Sequence, residues 1–201
     1  MKKAAFLDRD GVINQRAREG DYTTTWEEMH ILPGAARAIE LLNRAGYLVI
    51  VVTNQRCVAK GLISTSQLED LHKRMYAQLA RDGGIIDAVY YCPHDFAPPC
   101  DCRKPKPGML LRAAREHDID LAASWMIGDS ARDTGAGKAA GTRTIRLHDD
   151  GDASDPNADV VAGSLLEAAQ MIIGLNKSIS GHGPSGRKST SPRSPNDPIT
   201  R

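Results

Sequence analysis

The feature that most restricts the fold of this chain is an alternation. Short apolar runs recur along it, separated by segments whose apolar residues fall at helical spacing. Ala4–Leu7, Leu48–Val52, Ala88–Tyr91, Trp125–Ile127 and Thr142–Leu147 read as strands, with Val160-Val161 as a short sixth. Leu48–Val52 carries no polar residue on either face, the pattern of a strand covered on both sides. Pro33-Gly34 opens a helix to about Ala45, with Ala35, Ala38, Ile39 and Leu42 on one stripe and Gly46 as the stop. Further helices are expected over 65–82, from Pro107 to about His117, near Arg132–Ala140 and over Leu165–Leu175. Strands alternating with helices predict an α/β fold, a parallel sheet with helices on both faces. In such three-layer folds ligands bind outside the carboxyl ends of the strands.

Composition sets the limits around that fold. The 201 residues suit a single domain, and 41% hydrophobic with 25% charged residues is globular usage. No apolar run approaches the roughly 20 residues of a membrane span. The first run stops at Asp8, short of the about 7–15 residues of a signal-peptide core, so a cytoplasmic location is expected. Aromatic residues are 4% and the net charge is +1, which argues against a nucleic-acid surface. That near-neutrality is uneven. Residues 177–201 hold six Ser, four Pro, three Gly, five basic residues and one acid, a net +4. Residues 1–176 hold 21 basic and 24 acidic residues, a net −3. A tail so poor in apolar residues cannot offset its ordering entropy, and it is expected to be a disordered basic appendage to a 1–176 domain.

Four of the strands run into polar groups. The first delivers Asp8-Arg9-Asp10-Gly11, the second Thr53-Asn54-Gln55, the region after the third Arg103-Lys104-Pro105, and the fourth Gly128-Asp129 with Asp133 following. Carboxylates at several strand ends, with a hydroxyl and a lysine between them, describe a site for a hard cation and a phosphoryl group. Mg²⁺ takes oxygen ligands, and a lysine supplies the charge that carboxylates alone deny to a phosphate. Asp8 at the strand tip is placed to attack phosphorus. Asp10, two positions on and pointing to the same side, is placed to protonate the leaving alcohol and then to activate water. Thr53 and the amide of Asn54 are candidate donors to phosphoryl oxygens, and Lys104 the cation for substrate and intermediate. Asp129 would complete a Mg²⁺ site with Asp8 and the carbonyl of Asp10. Asp133 has a simpler reading as a helix N-terminal acid.

Taken together, Phe6-Leu7-Asp8-Arg9-Asp10-Gly11-Val12, Val52-Thr53-Asn54-Gln55, Lys104 and Ile127-Gly128-Asp129-Ser130-Ala131-Arg132-Asp133 resemble the four motifs of the haloacid dehalogenase (HAD) superfamily of phosphatases. The resemblance spans about residues 3–173. It implies a Rossmann-like fold, Mg²⁺ and an aspartyl-phosphate intermediate, with Asp8 as nucleophile, Asp10 as general acid/base and Asp129 as a metal ligand. No large insertion separates the motifs. A capless site is therefore expected, covered by the loops near 14–30, 54–64 and 92–104.

Three of the four cysteines fall in one segment with a histidine, Cys92-Pro93-His94 followed by Cys100-Asp101-Cys102. A cytosolic chain has little use for disulfides. Three thiolates and an imidazole make a closed tetrahedral zinc site, which is structural because no position is left open for water. Such a zinc would pin the loop that ends in Arg103 and Lys104. Cys57 lies outside the cluster and is given no role. With this loop, the sequence resembles the D-glycero-D-manno-heptose-1,7-bisphosphate 7-phosphatases, through Asp8–Asn14, Thr53–Gln55, Ala59-Lys60-Gly61, Cys92–His94 and Cys100–Met109. Pro107-Gly108-Met109 favours that family over the histidinol-phosphate phosphatases. The resemblance implies a small sugar bisphosphate as substrate and a monomer. The second phosphate needs cations beyond Lys104, with Arg103, Arg56, Arg16 and Arg18 as candidates. Arg9, Gln55 and Ser130 complete the expected substrate contacts. Arg56-Cys57 and Ser130 depart from the family's usual residues. Another superfamily phosphatase, or a zinc-stabilised binding module working through its basic tail, are the rival readings. Removal of residues 177–201 is expected to leave turnover unchanged, and a large loss in a steady-state assay would refute a passive tail.

Overall fold

The structure is a computed structural model that describes residues 1–148 and 155–180. Its strands are β1 (Lys3–Leu7), β2 (Tyr47–Asn54), β3 (Ala88–Cys92), β4 (Trp125–Gly128), β5 (Arg143–Leu147) and β6 (Val160–Ala162). Its helices are α1 (Ala35–Arg44), α2 (Thr65–Arg81), α3 (Gly108–His117), α4 (Ala131–Ala140) and α5 (Leu165–Ser180). All strand pairs are parallel, in the order β3-β2-β1-β4-β5-β6. The expected parallel sheet with helices on both faces is present.

The pleat explains why the strands are apolar throughout. Ala5 and Leu7 of β1, Val49 and Val51 of β2, and Trp125 and Ile127 of β4 point to one face. There they meet Ala35, Ile39 and Leu42 of α1, Leu71, Met75 and Leu79 of α2, and Leu165, Ala168 and Ile172 of α5. The intervening residues Ala4, Phe6, Ile50, Val52 and Met126 point to the other face, against Met109, Leu110 and Ala113 of α3 and Ala136 and Ala140 of α4. Each fully buried Leu, Ile or Phe contributes roughly 1.5–3 kcal/mol. A polar residue on either face of β1 would cost a core contact, so the chain can turn polar only where β1 ends, at Asp8.

The strand order places a topological switch beside β1. From β1 the chain moves to β2 and β3 on one side and later returns to β4 on the other. The crevice above β1 and β4 is where such sheets bind ligands. Asp8 and Asp129 stand directly after the two strands that border it. The connection from residue 8 to residue 34 has no helix or strand, only bridges at Asp10–Asn14 and Asn14–Ile31. It folds over the crevice. Among the described residues no insertion forms a separate cap, and no helix is long and apolar enough to cross a membrane.

Two boundaries differ from the sequence expectation. β2 continues past Val52, because Thr53 and Asn54 still pair with Tyr91 and Cys92 of β3. The polar pair thus sits on a hydrogen-bonded strand instead of a loose turn. The last helix extends to Ser180 and not to Leu175. No Gly or Pro intervenes after Gly174 until Gly181, so the helix can propagate through residues 177–180. The rest of the expected tail, 181–201, lies outside the described residues.

Candidate active site

Strand pairing carries into the first catalytic segment. The Asp8 N–H donates to the Ile127 carbonyl of β4 at 3.0 Å, and the Arg9 N–H donates to Asp8 Oδ1 at 2.7 Å. The chain then turns sharply, with Ile13 and Asn14 N–H both donating to the Arg9 carbonyl. Gly11 makes the turn possible at φ +83°, and a Cβ on it would lie 1.8 Å from Asp129 Oδ2. The bare backbone is what lets the two carboxylate-bearing segments meet.

Lys104 is buried at their junction. Its Nζ lies 2.9 Å from Asp8 Oδ1 and 2.6 Å from Asp133 Oδ1, and donates to the Val52 carbonyl at 2.7 Å. Asn54 locks the lysine backbone, accepting from its N–H at 3.1 Å and donating to its carbonyl at 3.2 Å. Asp133 is more than a helix-end acid. It closes a capping box with Ser130, whose N–H and Oγ donate to Asp133 Oδ2, and it also pairs with Lys104. Burial alone would lower the Lys104 pKa, but the Asp133 and Asp8 carboxylates outweigh it, raise it and hold the ammonium charged. Removing one partner of so buried a pair typically costs about 3–5 kcal/mol.

One lysine does not neutralise the cluster. Burial, then Asp133, Asp129 and Asp10, push Asp8 up to about 7 despite Lys104. Burial likewise raises Asp129 to about 6, against the pull of Arg16, whose Nη2 lies 2.6 Å from Asp129 Oδ1. Asp133 goes the other way, since Lys104 and Ser130 overcome its burial. One carboxylate oxygen from each of Asp8, Asp129 and Asp133 lies within 4.8 Å of the others. An all-oxygen, over-negative donor set of this kind fits a hard dication, which would pull the raised pKa values down.

The Asp10 carboxylate is not part of that group. Asn14 Nδ2 donates to Oδ1 at 2.9 Å, Gln55 Nε2 to Oδ2 at 3.1 Å, and Arg9 forks onto both oxygens through Nε and Nη2. Burial raises its pKa, but the Arg9 charge and these hydrogen bonds outweigh burial and hold it below the usual carboxylate range. Gln55 also donates to Thr53 Oγ1 at 2.9 Å, tying the second strand end to the first. Arg9, expected among the substrate contacts, is 1% exposed and its guanidinium is committed to Asp10 and His72. Gln55 is similarly buried behind Asp10 and Thr53. Sequence reading missed Asn14 and His72, since neither stands at a strand end.

Above these groups opens a cleft of about 690 Å³. Arg16, Arg18, Lys60 and Ser130 line it, together with Phe96, Arg56 and Arg103. Arg56 and Arg103 do not hang free. Their guanidinium carbons sit 4.3 and 4.5 Å from the Phe96 ring centre, Arg56 Nε lies 2.6 Å from Asp95 Oδ1, and Arg103 donates to the His94 carbonyl at 3.3 Å. Phe96 and Asp95 carried no motif signal.

The loop holding Phe96 and Arg103 is organised around Cys92, His94, Cys100 and Cys102. The Sγ atoms of Cys92 and Cys100 are 3.6 Å apart and those of Cys100 and Cys102 3.4 Å. His94 Nδ1 lies 3.6 Å from Cys92 Sγ and 3.3 Å from Cys102 Sγ. A tetrahedron with metal–sulfur bonds of ~2.3 Å sets its sulfurs roughly 3.8 Å apart, so the four atoms are close to the spacing that a metal ion requires. Burial and the neighbouring thiols push Cys102 up to about 12, a crowding that a bound cation relieves.

Comparison with known proteins agrees with this geometry. Residues 101–168 match a family model described as HAD-hydrolase-like. The D-glycero-beta-D-manno-heptose-1,7-bisphosphate 7-phosphatase of Pasteurella multocida is 38% identical over 185 residues, covering 87% of this chain and 99% of that protein. The chain belongs to the heptose-1,7-bisphosphate 7-phosphatase family. A Mycobacterium bovis relative, named for the alpha anomer, is 44% identical over 129 residues, 64% of this chain and 67% of its own length. Among solved structures, the D,D-heptose 1,7-bisphosphate phosphatase of B. bronchiseptica, complexed with magnesium and phosphate, superposes with a TM-score of 0.79 at 35% identity, covering 86% of this chain and 99% of that one.

Gly11 gives this family member a sharp steric test. Gly11→Ala must displace Asp129 or break the turn, and kcat is expected to fall at least about 100-fold, as a misplacement near 1 Å can do. Activity within a few-fold of the parent in a phosphate-release assay would show that the turn tolerates a Cβ.

Proposed function

We propose that the chain is a Mg²⁺-dependent phosphatase that removes the 7-phosphate of D-glycero-D-manno-heptose 1,7-bisphosphate, supplying a precursor of nucleotide-activated heptose. The observation that carries this reading is geometric: the buried Lys104 Nζ lies 2.9 Å from Asp8 and 2.6 Å from Asp133, with Asp129 in the same carboxylate cluster and Asp10 two residues beyond Asp8.

In the first half-reaction Asp8 attacks phosphorus, and the bond between phosphorus and the C7 oxygen breaks. Lys104 holds the charge of the phosphoryl group, with the Thr53 hydroxyl and the Asn54 amide as further donors. Asp10 gives its proton to the departing alkoxide. A phosphate dianion beside Asp10 raises its proton affinity, which offsets the effect of Arg9 and lets it arrive protonated. In the second half-reaction Asp10, now ionised, takes a proton from water. That water attacks the aspartyl phosphate, releasing phosphate and restoring Asp8. Magnesium, held by Asp8, Asp129 and the Asp10 backbone oxygen with Asp133 alongside, would supply charge neutralisation at the phosphoryl oxygens.

The anomeric phosphate of the substrate calls for cations at the far end of the cleft. Arg103 and Arg56, braced on Phe96, are assigned there, with Arg18 and Lys60 also lining the cleft and Arg16 paired with Asp129. Arg9 and Gln55, at the floor of the cleft, act chiefly through Asp10 and Thr53, and Ser130 lines the cleft while holding Asp133. Zinc at Cys92, His94, Cys100 and Cys102 would be structural and would set the position of Arg103 and Lys104. The scheme requires no residue from a second copy, so a monomer suffices for it, and a phosphorylated sugar precursor supports action in the cytoplasm.

Two measurements test the scheme. With Mg²⁺, kcat/KM for either anomer of heptose 1,7-bisphosphate is expected to exceed that for histidinol phosphate at least about 100-fold, a gap the unpaired arginines would impose on a monophosphate. Preference for histidinol phosphate would overturn the substrate, and Asp8→Asn retaining full Mg²⁺-dependent turnover would overturn the nucleophile. Separately, Cys100→Ser is expected to lose zinc by atomic spectroscopy and to lower the melting midpoint, and unchanged metal content would remove the zinc assignment.

A further inference from the structure

His72 stands on α2 within the stripe Leu68, Leu71, Met75 and Leu79, where its sequence position reads as core. It is 3% exposed and lies outside the residues that line the cleft. Its ring stacks on Tyr76 with centroids 6.2 Å apart and meets the edge of Tyr91 at 5.9 Å. An apolar residue would fill that space as well. What distinguishes the histidine is Nε2, which lies 3.2 Å from Arg9 Nη1.

That contact has one chemical solution. A guanidinium only donates, so Nε2 must accept, and the ring is neutral with its proton on Nδ1. Burial, reinforced by the Arg9 charge, pushes the ring's pKa down to about 3, consistent with that neutral form. Arg9 is thereby held on two edges. Nη1 points to His72 while Nε and Nη2 fork onto Asp10. A planar group fixed on both edges cannot rotate without breaking one set of bonds. With the His72 acceptor gone, a buried Nη1 donor loses its partner and the fork can tilt.

We propose that His72 is a positioning residue, whose neutral Nε2 fixes the Arg9 guanidinium and through it the orientation of the Asp10 carboxylate toward the departing oxygen. This rests on the reading of Asp10 as general acid. The chain of contacts has only two links, His72 to Arg9 and Arg9 to Asp10, so no long-range pathway is invoked.

Leaving-group chemistry separates this role from plain packing. An alkoxide needs a proton as it departs, whereas p-nitrophenolate leaves unassisted, and kcat/KM reports only the steps through aspartyl-phosphate formation. His72→Leu is expected to lower kcat/KM for the heptose bisphosphate about tenfold or more, a fraction of a full general-acid loss, while p-nitrophenyl phosphate changes less than about threefold. His72→Gln, whose amide oxygen can accept from Arg9, is expected to recover most of the loss. Asp10→Asn serves as the reference and should show the same selectivity more strongly. If Asp10→Asn is selective and His72→Leu lowers both substrates equally, or neither, the positioning role fails while the general acid stands. If Asp10→Asn is itself unselective, the general-acid reading fails and this inference with it. Nitrogen-15 NMR of the folded parent protein gives a check independent of any variant. Nε2 is expected to be unprotonated and Nδ1 protonated at neutral pH, and the reverse tautomer would overturn the proposal.

Discussion

Everything at the mouth of this sheet depends on one buried ammonium. Lys104 Nζ is nearly inaccessible to water and touches Asp8, Asp133 and the Val52 carbonyl at once. Without it, carboxylates from β1 and from the start of α4 would face each other across a crevice too dry to screen them. Its position is secured from two directions. Asn54, at the end of β2, grips its backbone on both sides, and the Cys/His loop ends just before it. Folding of that loop and assembly of the phosphate site are therefore one event seen from two places. The lysine is also why the cluster still wants a cation, since it offsets only part of the negative charge.

The same crevice sorts two neighbouring acids into opposite states. Asp8 and Asp10 are separated by one residue, yet burial with nearby carboxylates dominates for Asp8, and an arginine fork with two amide donors dominates for Asp10. The residue between them touches both. Arg9 gives its backbone N–H to Asp8 and its side chain to Asp10, so a single residue serves both. The sharp turn at Gly11 then brings Asp129 against this pair, so that backbone geometry, and not side-chain length, sets the spacing of the acids.

Much of this was legible in the chain because burial on both faces of a parallel sheet leaves a plain trace. Ala4–Leu7 and Leu48–Val52 are apolar without alternation, and the first polar residue after each, Asp8 and Thr53, opens onto the cleft. The Cys/His loop was equally plain, since four soft donors in so short a span have few other uses. What stayed hidden was decided by partners distant in sequence. Arg9 looked like a substrate contact, and nothing within its own segment could reveal that α2 would offer it a histidine. Asp133 looked like a helix-end acid, which it is, but its second bond is to a lysine on another loop. Arg56 was a cation near the cleft by spacing, and only the folded loop showed it braced on Asp95 and Phe96. The second strand reads only to Val52 because polarity marks its end, yet β3 supplies a ladder for Thr53 and Asn54 as well.

The strand order gives Asp8 a central seat. β1 is hydrogen-bonded along both edges, to β2 and to β4, so Asp8 extends from a doubly paired strand. The arginines, Phe96 and the long segment after residue 10 all hang from connections at its periphery. Chemistry and choice of substrate are thus carried by parts of the chain with very different freedom to vary. Insertions or exchanges in the outer loops can reshape what enters the cleft while the bond-breaking groups keep their places. A scaffold divided in this way can take up new phosphorylated compounds by drift at its rim, with the reaction itself preserved at the centre.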